Sequence, residues 1–260
     1  MCAAQCRQRN QTTGHGPREI INGMLRIRRI YDNVLPVNKS TLNQVQEILR
    51  SRFSGVAEEE IALIGEKLRN PFKQRFRTIL FVAESIKSKV RGFAMLLHEP
   101  ELHFAYLDWI ATASNRAGGG IGGALYDRIR REATALNVAG LFFECLPDDA
   151  DDCQDPAELK RNRSRLRFYE RYGARPIVDT GYESPVKPGD TCMPHLVYDD
   201  LGSGKPLKKA YARQVVRAVL ERSVPKDDLP SESSFKRILD KAGLVERRRR
   251  VPAARAGRSR

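Results

Sequence analysis

The chain contains 260 residues, of which 41% are hydrophobic and 30% are charged, and its mean hydropathy is −0.50. This length suits one large domain, or one domain with an appendage. Since no apolar run approaches the roughly 20 residues that a membrane-spanning helix requires, we expect no membrane span.

The five cysteines are scattered along the chain and form no CxxC pair. This usage excludes a disulfide scaffold and is typical of reduced thiols in a cytoplasmic protein, so we expect a cytoplasmic location. Cysteine and histidine are also too dispersed to supply four clustered zinc ligands, and we therefore expect no metal.

The net charge of +14 is concentrated at the C-terminal end. Residues 203–260 contain 17 of the 46 lysines and arginines but 6 of the 32 acidic residues. Such a segment can contact nucleic acid or an acidic protein without sequence specificity. A solvated, partly disordered extension is the alternative, because the like charges of residues 247–250 repel one another.

Apolar spacing predicts the elements along the chain, after a polar stretch at 1–21 that reads as disordered. In chain order we predict a strand at 24–35, helices at 38–53 and 57–68, strands at 78–84, 90–97 and 102–112, a helix at 121–136, a strand at 141–146, a helix at 156–172, strands at 175–180 and 193–198, and helices at 205–222 and 234–242. Asn38 or Ser40 could cap the first helix, and Gly173 is a candidate left-handed residue at the end of the 156–172 helix. Three hairpin-linked strands followed by a β-α-β unit indicate a mixed sheet with helices on both faces.

Five glycines lie between Asn115 and Leu125, after a predicted strand and at the start of a predicted helix. Glycine lets the backbone approach an anion closely, and the first N–H groups of a helix point towards that anion. The segment is therefore a candidate main-chain cradle for a pyrophosphate, with a flexible surface loop as the alternative. It lacks the Gly-Lys-Ser/Thr ending of a Walker A loop, and its place after three hairpin-linked strands fits a dinucleotide-binding fold poorly.

Two motifs carry a resemblance to a known family. The first is Ala117-Gly118-Gly119-Gly120-Ile121-Gly122, and the second runs from Asn162 to Tyr169 seven residues later, and on through Glu170 to Gly173. In this order and spacing the motifs resemble those of the GNAT superfamily of N-acetyltransferases, over about residues 24–201. Ala117 departs from the family, which usually has glutamine or arginine there.

The resemblance implies an α+β fold with a GNAT-like, mostly antiparallel sheet of about seven strands flanked by helices. We expect a disordered segment at 1–22, the acetyltransferase domain at 23–202, and a basic helical extension with a disordered tail at 203–260. The implied activity is direct transfer of the acetyl group of acetyl-CoA to a primary amine of a small molecule or protein in a ternary complex. The alternative is a non-catalytic protein that senses or binds acyl-CoA and docks on nucleic acid or a protein partner through its basic C-terminus.

The family also implies which residues contact acetyl-CoA. These are Ile110, Ala111, Thr112, Ala117, Gly118, Gly119, Gly120, Ile121, Gly122, Gly123 and Asn162. Tyr169 occupies the position of the usual general acid, since a phenol is protonated at pH 7 and can donate to the leaving thiolate. An aromatic core residue is the other interpretation of Tyr169.

Asp108 is the candidate general base, directly or through water, and Glu144 and Tyr106 compete with it. Acidic residues at 148–155 would attract a cationic amine, whereas the basic residues at 73–77 would suit an acidic acceptor. The acceptor therefore stays open between these classes, and a homodimer is one option that the sequence leaves open.

Overall fold

The computed structural model describes residues 19–21, 25–53, 55–113, 120–149, 155–177 and 194–223. The strands are β1 (Glu19–Ile21), β2 (Leu25–Ile30), β3 (Arg77–Ser85), β4 (Val90–Glu99), β5 (Phe104–Thr112), β6 (Leu141–Cys145), β7 (Arg175–Pro176) and β8 (His195–Asp199). The helices are α1 (Pro36–Arg52), α2 (Glu58–Arg69), α3 (Ile121–Ala135), α4 (Pro156–Glu170) and α5 (Lys209–Ser223), and a short 3-10 turn covers Pro71–Lys73.

The chain divides into two compact units. One comprises Met1–Leu96 and Trp109–Ile129, and the other Leu97–Asp108 and Arg130–Arg260. The first carries the strand order β1-β2-β3-β4 and the second β5-β6-β8-β7, while β4 and β5 each contribute residues to both units. β1–β2, β2–β3, β6–β8 and β7–β8 pair antiparallel, and β5–β6 pair parallel. The predicted fold class, a mostly antiparallel mixed sheet flanked by helices, is confirmed.

In the first unit, α1 and α2 bury one apolar face each against the strands. Their contributions are Leu42, Val45, Ile48, Leu49, Ile61, Ile64 and Leu68, which pack with strand residues such as Ile30, Leu80 and Phe93. The spacing of three to four residues places these side chains on a single stripe of each helix. Burial of that stripe explains why the helices form where the sequence predicts them.

A buried carboxylate anchors the start of this unit. Glu84 of β3 is fully buried, and its Oε1 accepts from Nε of Arg26 and Nε of Arg28, each at 2.8 Å. Arg28 also donates to Asn38 and Thr41 of α1, each at 2.8 Å. These charge-assisted bonds explain how β2 accommodates basic residues beside a buried strand.

In the second unit, helices cover both faces of the strands. Successive side chains of β6 point to opposite faces of the strand. The ring of Phe142 therefore faces Tyr211 on α5, with 6.4 Å between ring centroids, whereas the ring of Phe143 packs against Tyr169 on α4, with 4.4 Å between ring centroids. The buried residues of α5 are Ala212, Val215, Val216, Ala218, Val219 and Leu220. The predicted coverage of both faces is therefore confirmed within this unit.

The structure differs from the sequence prediction at several element ends. β1 lies inside the segment expected to be disordered, where it pairs with β2. α1 begins at Pro36 rather than at residue 38, because proline suits the first helical turn, so the predicted caps at Asn38 and Ser40 are wrong. Gly173 has φ +97°, as predicted for the residue that follows α4. The helix predicted at 234–242 lies outside the described residues.

Candidate active site

The C-terminal half of β5 is the predicted cofactor strand, and it belongs to the first unit. Trp109 and Ala111 pack against the apolar cluster under α1 and α2, whereas Ile110 and Thr112 alternate to the other face and are half-buried. The Thr112 carbonyl accepts from Nε of Arg52 at 3.1 Å. This strand end is thus held by packing on one side, with Ile110 and Thr112 turned to the other.

Gly92 of β4 allows a close backbone approach at this point. A Cβ placed on Gly92 would lie 2.8 Å from the carbonyl oxygen of Ala111 and 3.1 Å from Ile121 of α3. Any larger residue would therefore force the backbone of β5 or the start of α3 to shift.

The start of α3 follows the glycine-rich segment. Gly120 has φ +67° and its carbonyl accepts the Ala124 N–H at 3.0 Å, which closes the first helical turn. A Cβ at Gly120 or at Gly122 would meet no atom within 4 Å, so open space lies beside this turn. Ile121, Gly122 and Gly123 are half-buried. Ala117, Gly118 and Gly119 lie outside the described residues.

This turn has the features that a diphosphate requires. The first N–H groups of a helix lack intrahelical acceptors, and the helix dipole favours negative charge there. Because Gly122 leaves the adjacent space open, an anion can approach the backbone directly. The described part of the segment therefore fits the diphosphate of coenzyme A.

Tyr169 lies on α4 in the second unit and is 5% exposed. Its ring contacts Phe143 at 4.4 Å and Phe168 at 5.0 Å between centroids. Burial raises the pKa of the Tyr169 phenol above its ordinary value, and the nearby Cys145 raises it further. Tyr169 is therefore both a core residue and a phenol that keeps its proton, so the two interpretations from sequence are compatible.

Cys145 ends β6 on the same face as Phe143. Burial raises the pKa of the thiol to about 12, so it is protonated and unreactive at neutral pH. A buried, protonated thiol of this kind packs as a small apolar side chain.

Asp108 on β5 pairs with a residue of the C-terminal extension. Nη2 of Arg222, in the last turn of α5, donates to Oδ1 of Asp108 at 2.6 Å. The two side chains are 23% and 8% exposed, so the ion pair is largely removed from water. The guanidinium also lies over the Tyr106 ring, 5.5 Å from its centroid. Arg222 was not among the residues predicted from the sequence, and the one signal for it was the periodicity that predicted a helix at 205–222.

The two residues that competed with Asp108 lie on the same face. Tyr106 is buried, and burial raises its pKa, with further increases from the charge of Glu144 and a hydrogen bond to it. Glu144 itself is exposed. Tyr106 pairs in register with Phe142, and the alternation of the strands puts Asp108 and Glu144 on this face too. Tyr169 lies with Phe143 on the opposite face.

Asn162, a predicted cofactor contact, is buried in α4 beside the segment that follows β6. Its side chain is 2% exposed, and Nδ2 donates to the carbonyl oxygen of Pro147 at 2.9 Å. This bond ties α4 to the segment that follows β6. Asp155 caps the same helix by accepting the Ala157 N–H at 2.8 Å.

No group of three or more His, Cys, Asp or Glu side chains in the described ranges could hold a metal ion. A helix long and apolar enough to cross a membrane is likewise absent from those ranges.

A model of the acetyltransferase (GNAT) family matches residues 42–174 of the chain. Solved structures with a similar fold include an aminoglycoside 6'-N-acetyltransferase complexed with coenzyme A, at 15% identity over 70% of this chain and 98% of that one, with a TM-score of 0.49. The aminoglycoside 6'-N-acetyltransferase from Enterococcus faecium shares 15% identity over 70% and 98%, with a TM-score of 0.47. The catalytic domain of the Tetrahymena GCN5 histone acetyltransferase in complex with coenzyme A shares 13% identity over 71% and 98%, with a TM-score of 0.48. No curated protein matches the chain.

Proposed function

Because this chain belongs to the GNAT family of acetyltransferases, we propose that it is an N-acetyltransferase that moves the acetyl group of acetyl-CoA directly to a primary amine. The observation that carries the proposal is the family match over residues 42–174, a range that contains the glycine-rich segment and the Tyr169 helix. Acetyl-CoA, as the second substrate, supplies an activated thioester.

In this proposal the end of β5 and the glycine-rich segment bind the cofactor. The N–H groups of residues 117–123 hold the diphosphate, and main-chain groups of Ile110, Ala111 and Thr112 hydrogen-bond the pantetheine arm and the developing oxyanion. The half-buried state of Ile110 and Thr112, and the open space at Gly122, support these roles. Asn162 contributes by holding α4 against the segment after β6.

Asp108 and Tyr169 supply the proton transfers. The amine nitrogen attacks the thioester carbon, the C–S bond breaks, and the products are the N-acetyl amine and free coenzyme A. Asp108 takes the proton that the amine loses, directly or through water, and the Tyr169 hydroxyl gives its proton to the departing sulfur. Burial raises the pKa of Tyr169, so its hydroxyl holds a proton throughout the neutral range, while the same shift makes it a weaker acid towards the leaving sulfur.

The proposal is tested with acetyl-CoA and an amine panel of spermidine, kanamycin and a lysine-containing peptide, read by release of free thiol. We expect thiol release that depends on at least one amine, and an acetylated product by mass spectrometry. Thiol release that is the same with and without every amine would reject the transferase assignment.

The cofactor site has its own test in Gly122→Leu. A Cβ at this position has no atom of the described residues within 4 Å, and leucine favours helix more than glycine does, so the variant should fold. The leucine side chain would occupy the space assigned to the diphosphate, so we expect acetyl-CoA to bind at least about tenfold more weakly. At a saturating concentration of acetyl-CoA, the ligand should then stabilise the folded protein by about 1.4 kcal/mol less than it stabilises the parent. Ala135→Leu, at the exposed end of the same helix, is the matched control.

A non-catalytic acyl-CoA binder is the second candidate, and the ion pair of Asp108 with Arg222 favours it, because Oδ1 of the candidate base is already occupied by the guanidinium. Stabilisation by acetyl-CoA without thiol release across the amine panel would support this function instead.

The remaining assignments are proposals about partners and location. We propose a cationic acceptor, attracted by the acidic residues at 148–155, and a cytoplasmic location. We also propose that the basic C-terminal segment contacts nucleic acid or acidic protein. Because α5 is packed into the second unit, this last point is tested by deleting residues 224–260 rather than the whole extension. Loss of retention on heparin after that deletion would support it.

A further inference from the structure

We infer that Arg222 of the C-terminal helix is a positioning residue for Asp108, so that α5 belongs to the catalytic apparatus and is not merely an appendage. The inference rests on the proposed function. Its starting point is the bond from Nη2 of Arg222 to Oδ1 of Asp108 at 2.6 Å, between side chains that are 23% and 8% exposed.

α5 is fixed along β5 at two points. The Tyr211 hydroxyl donates to the carbonyl oxygens of Leu102 and His103, at 2.9 and 3.2 Å, just before the strand begins. Arg222 then meets Asp108 six residues further along the chain. Eleven helical residues rise about 16 Å, and six extended residues span about 20 Å. The helix therefore runs in the same direction as the strand, and its length sets which residue reaches Asp108.

The apolar face of α5 makes this placement rigid. Val215, Val216 and Val219 are at most 1% exposed. A side chain in the last turn of a packed helix has few orientations available, so Arg222 can orient the carboxylate that it binds.

The contact engages one of the two carboxylate oxygens. Nη2 of Arg222 donates to Oδ1 of Asp108, and within the described ranges no second side chain hydrogen-bonds this carboxylate. A carboxylate that is held by one oxygen presents the second in a defined direction, which a proton acceptor requires. The guanidinium also lies over the Tyr106 ring, whose hydroxyl hydrogen-bonds the exposed Glu144.

A purely structural ion pair would predict a different outcome. Its loss would lower the thermal midpoint and the concentration of folded protein, but the turnover of each folded molecule would be unchanged. A positioning role predicts a lower kcat that depends on the presence of the Asp108 carboxylate.

The experiment uses the full chain, acetyl-CoA, and the amine of the spermidine, kanamycin and lysine-peptide panel that gives the fastest thiol release. The variants are Arg222→Met, Arg222→Lys, Asp108→Asn and the double variant Arg222→Met with Asp108→Asn. Gln214→Ala, at an exposed position of the same helix, is the control. Thermal unfolding and acetyl-CoA affinity are measured for each variant.

We expect Arg222→Met to lower kcat by roughly tenfold to a hundredfold, with acetyl-CoA affinity within about twofold of the parent. Arg222→Lys keeps a cation that can make the single bond, so it should recover most of the loss. In the Asp108→Asn background, Arg222→Met should lower kcat by less than about threefold, because the two residues act as one unit.

Equal losses from Arg222→Met with and without the Asp108 carboxylate would overturn the inference, as would a folded Arg222→Met variant with the kcat of the parent. A parent protein that shows no amine-dependent thiol release would overturn the proposed function together with the inference. If the parent is active and Arg222→Met keeps the kcat of the parent, the inference alone is overturned and the proposed function stands.

Discussion

The substitution Tyr169→Phe removes one hydroxyl group from a ring that the structure holds on two sides. The centroids of Phe143 and Phe168 lie 4.4 and 5.0 Å from that of Tyr169, and the side chain is 5% exposed. Phenylalanine preserves the ring, its volume and these contacts. The perturbation therefore separates the chemistry of the hydroxyl from the packing of the helix.

The expected effects on stability and on turnover differ in size. Loss of one buried hydroxyl costs about 1 kcal/mol of unfolding free energy, which is a shift of roughly 2–4 °C in a domain of this size. Loss of a general acid lowers kcat by about a hundredfold, or about 2.7 kcal/mol in the activation barrier. The affinity for acetyl-CoA should stay within about twofold, since the hydroxyl acts on the leaving sulfur.

The pH dependence is a second consequence. Burial raises the pKa of Tyr169 above its ordinary value of 10.0, so the acid keeps its proton as the pH rises through the neutral range. We expect no alkaline decline of kcat from this group below about pH 10. An alkaline decline near pH 8 or 9 that disappears in Tyr169→Phe would refute the argument from burial.

The assay is steady-state thiol release, with Tyr172→Phe as the matched control. Tyr172 lies just beyond the same helix, is half-buried, and contacts Phe168 at 5.4 Å. Tyr172→Phe also removes one phenol hydroxyl, but this hydroxyl has no proposed role in catalysis, so the variant should keep the kcat of the parent. If Tyr169→Phe also keeps that kcat, Tyr169 is a core residue and the proton reaches the sulfur from elsewhere.

Three further predictions concern buried groups. Glu84→Gln weakens a buried ion cluster and should lower the free energy of unfolding in urea by about 3 kcal/mol. Glu58→Gln, in an exposed ion pair, is the control and should change the urea midpoint little. Equal shifts of the midpoint in the two variants would contradict the burial argument. Gly92→Ala puts a Cβ 2.8 Å from the Ala111 carbonyl oxygen, so we expect a loss of about 1–3 kcal/mol and weaker acetyl-CoA binding by calorimetry; unchanged values would show that the strands can shift freely. Burial raises the pKa of Cys145 from 9.0 to about 12 in the folded protein. As the pH rises, the thiol is therefore deprotonated in the unfolded chain before it is deprotonated in the folded one. Between pH 9 and 12 this group should lower the free energy of unfolding by about 1.4 kcal/mol per pH unit. Cys145→Ala should remove that part of the slope, and an unaltered slope would refute the assignment.

The candidate acid and the candidate base lie on different faces of the strands around β6. Phe143 and Cys145 point towards α4 and the candidate acid, whereas Phe142 and Glu144 point towards α5 and the candidate base. In this unit the proposed proton donor and proton acceptor therefore lie on opposite sides of the same strands. The ring contacts of Tyr169 and the ion pair of Asp108 with Arg222 thus give the two groups different surroundings.

Local patterns in the sequence were sufficient to predict the elements and the fold class. Apolar spacing located α1 and α2 within two residues at each end, and the glycine-rich segment before a helix indicated a candidate anion site. These features depend on backbone conformation and on side-chain periodicity, which are encoded within a few consecutive residues. Tyr169 became a candidate acid only through the family resemblance, whose motif is continuous in the chain.

The pairing of Asp108 with Arg222 was decided only by the tertiary structure. The two residues are 114 positions apart, and a run of basic residues on a polar segment gives no indication of which arginine faces inward. The same holds for Asn162, whose amide is used by the Pro147 carbonyl. Such contacts arise because the packing of whole helices sets the distances between side chains, and that packing depends on apolar faces that lie far apart in sequence.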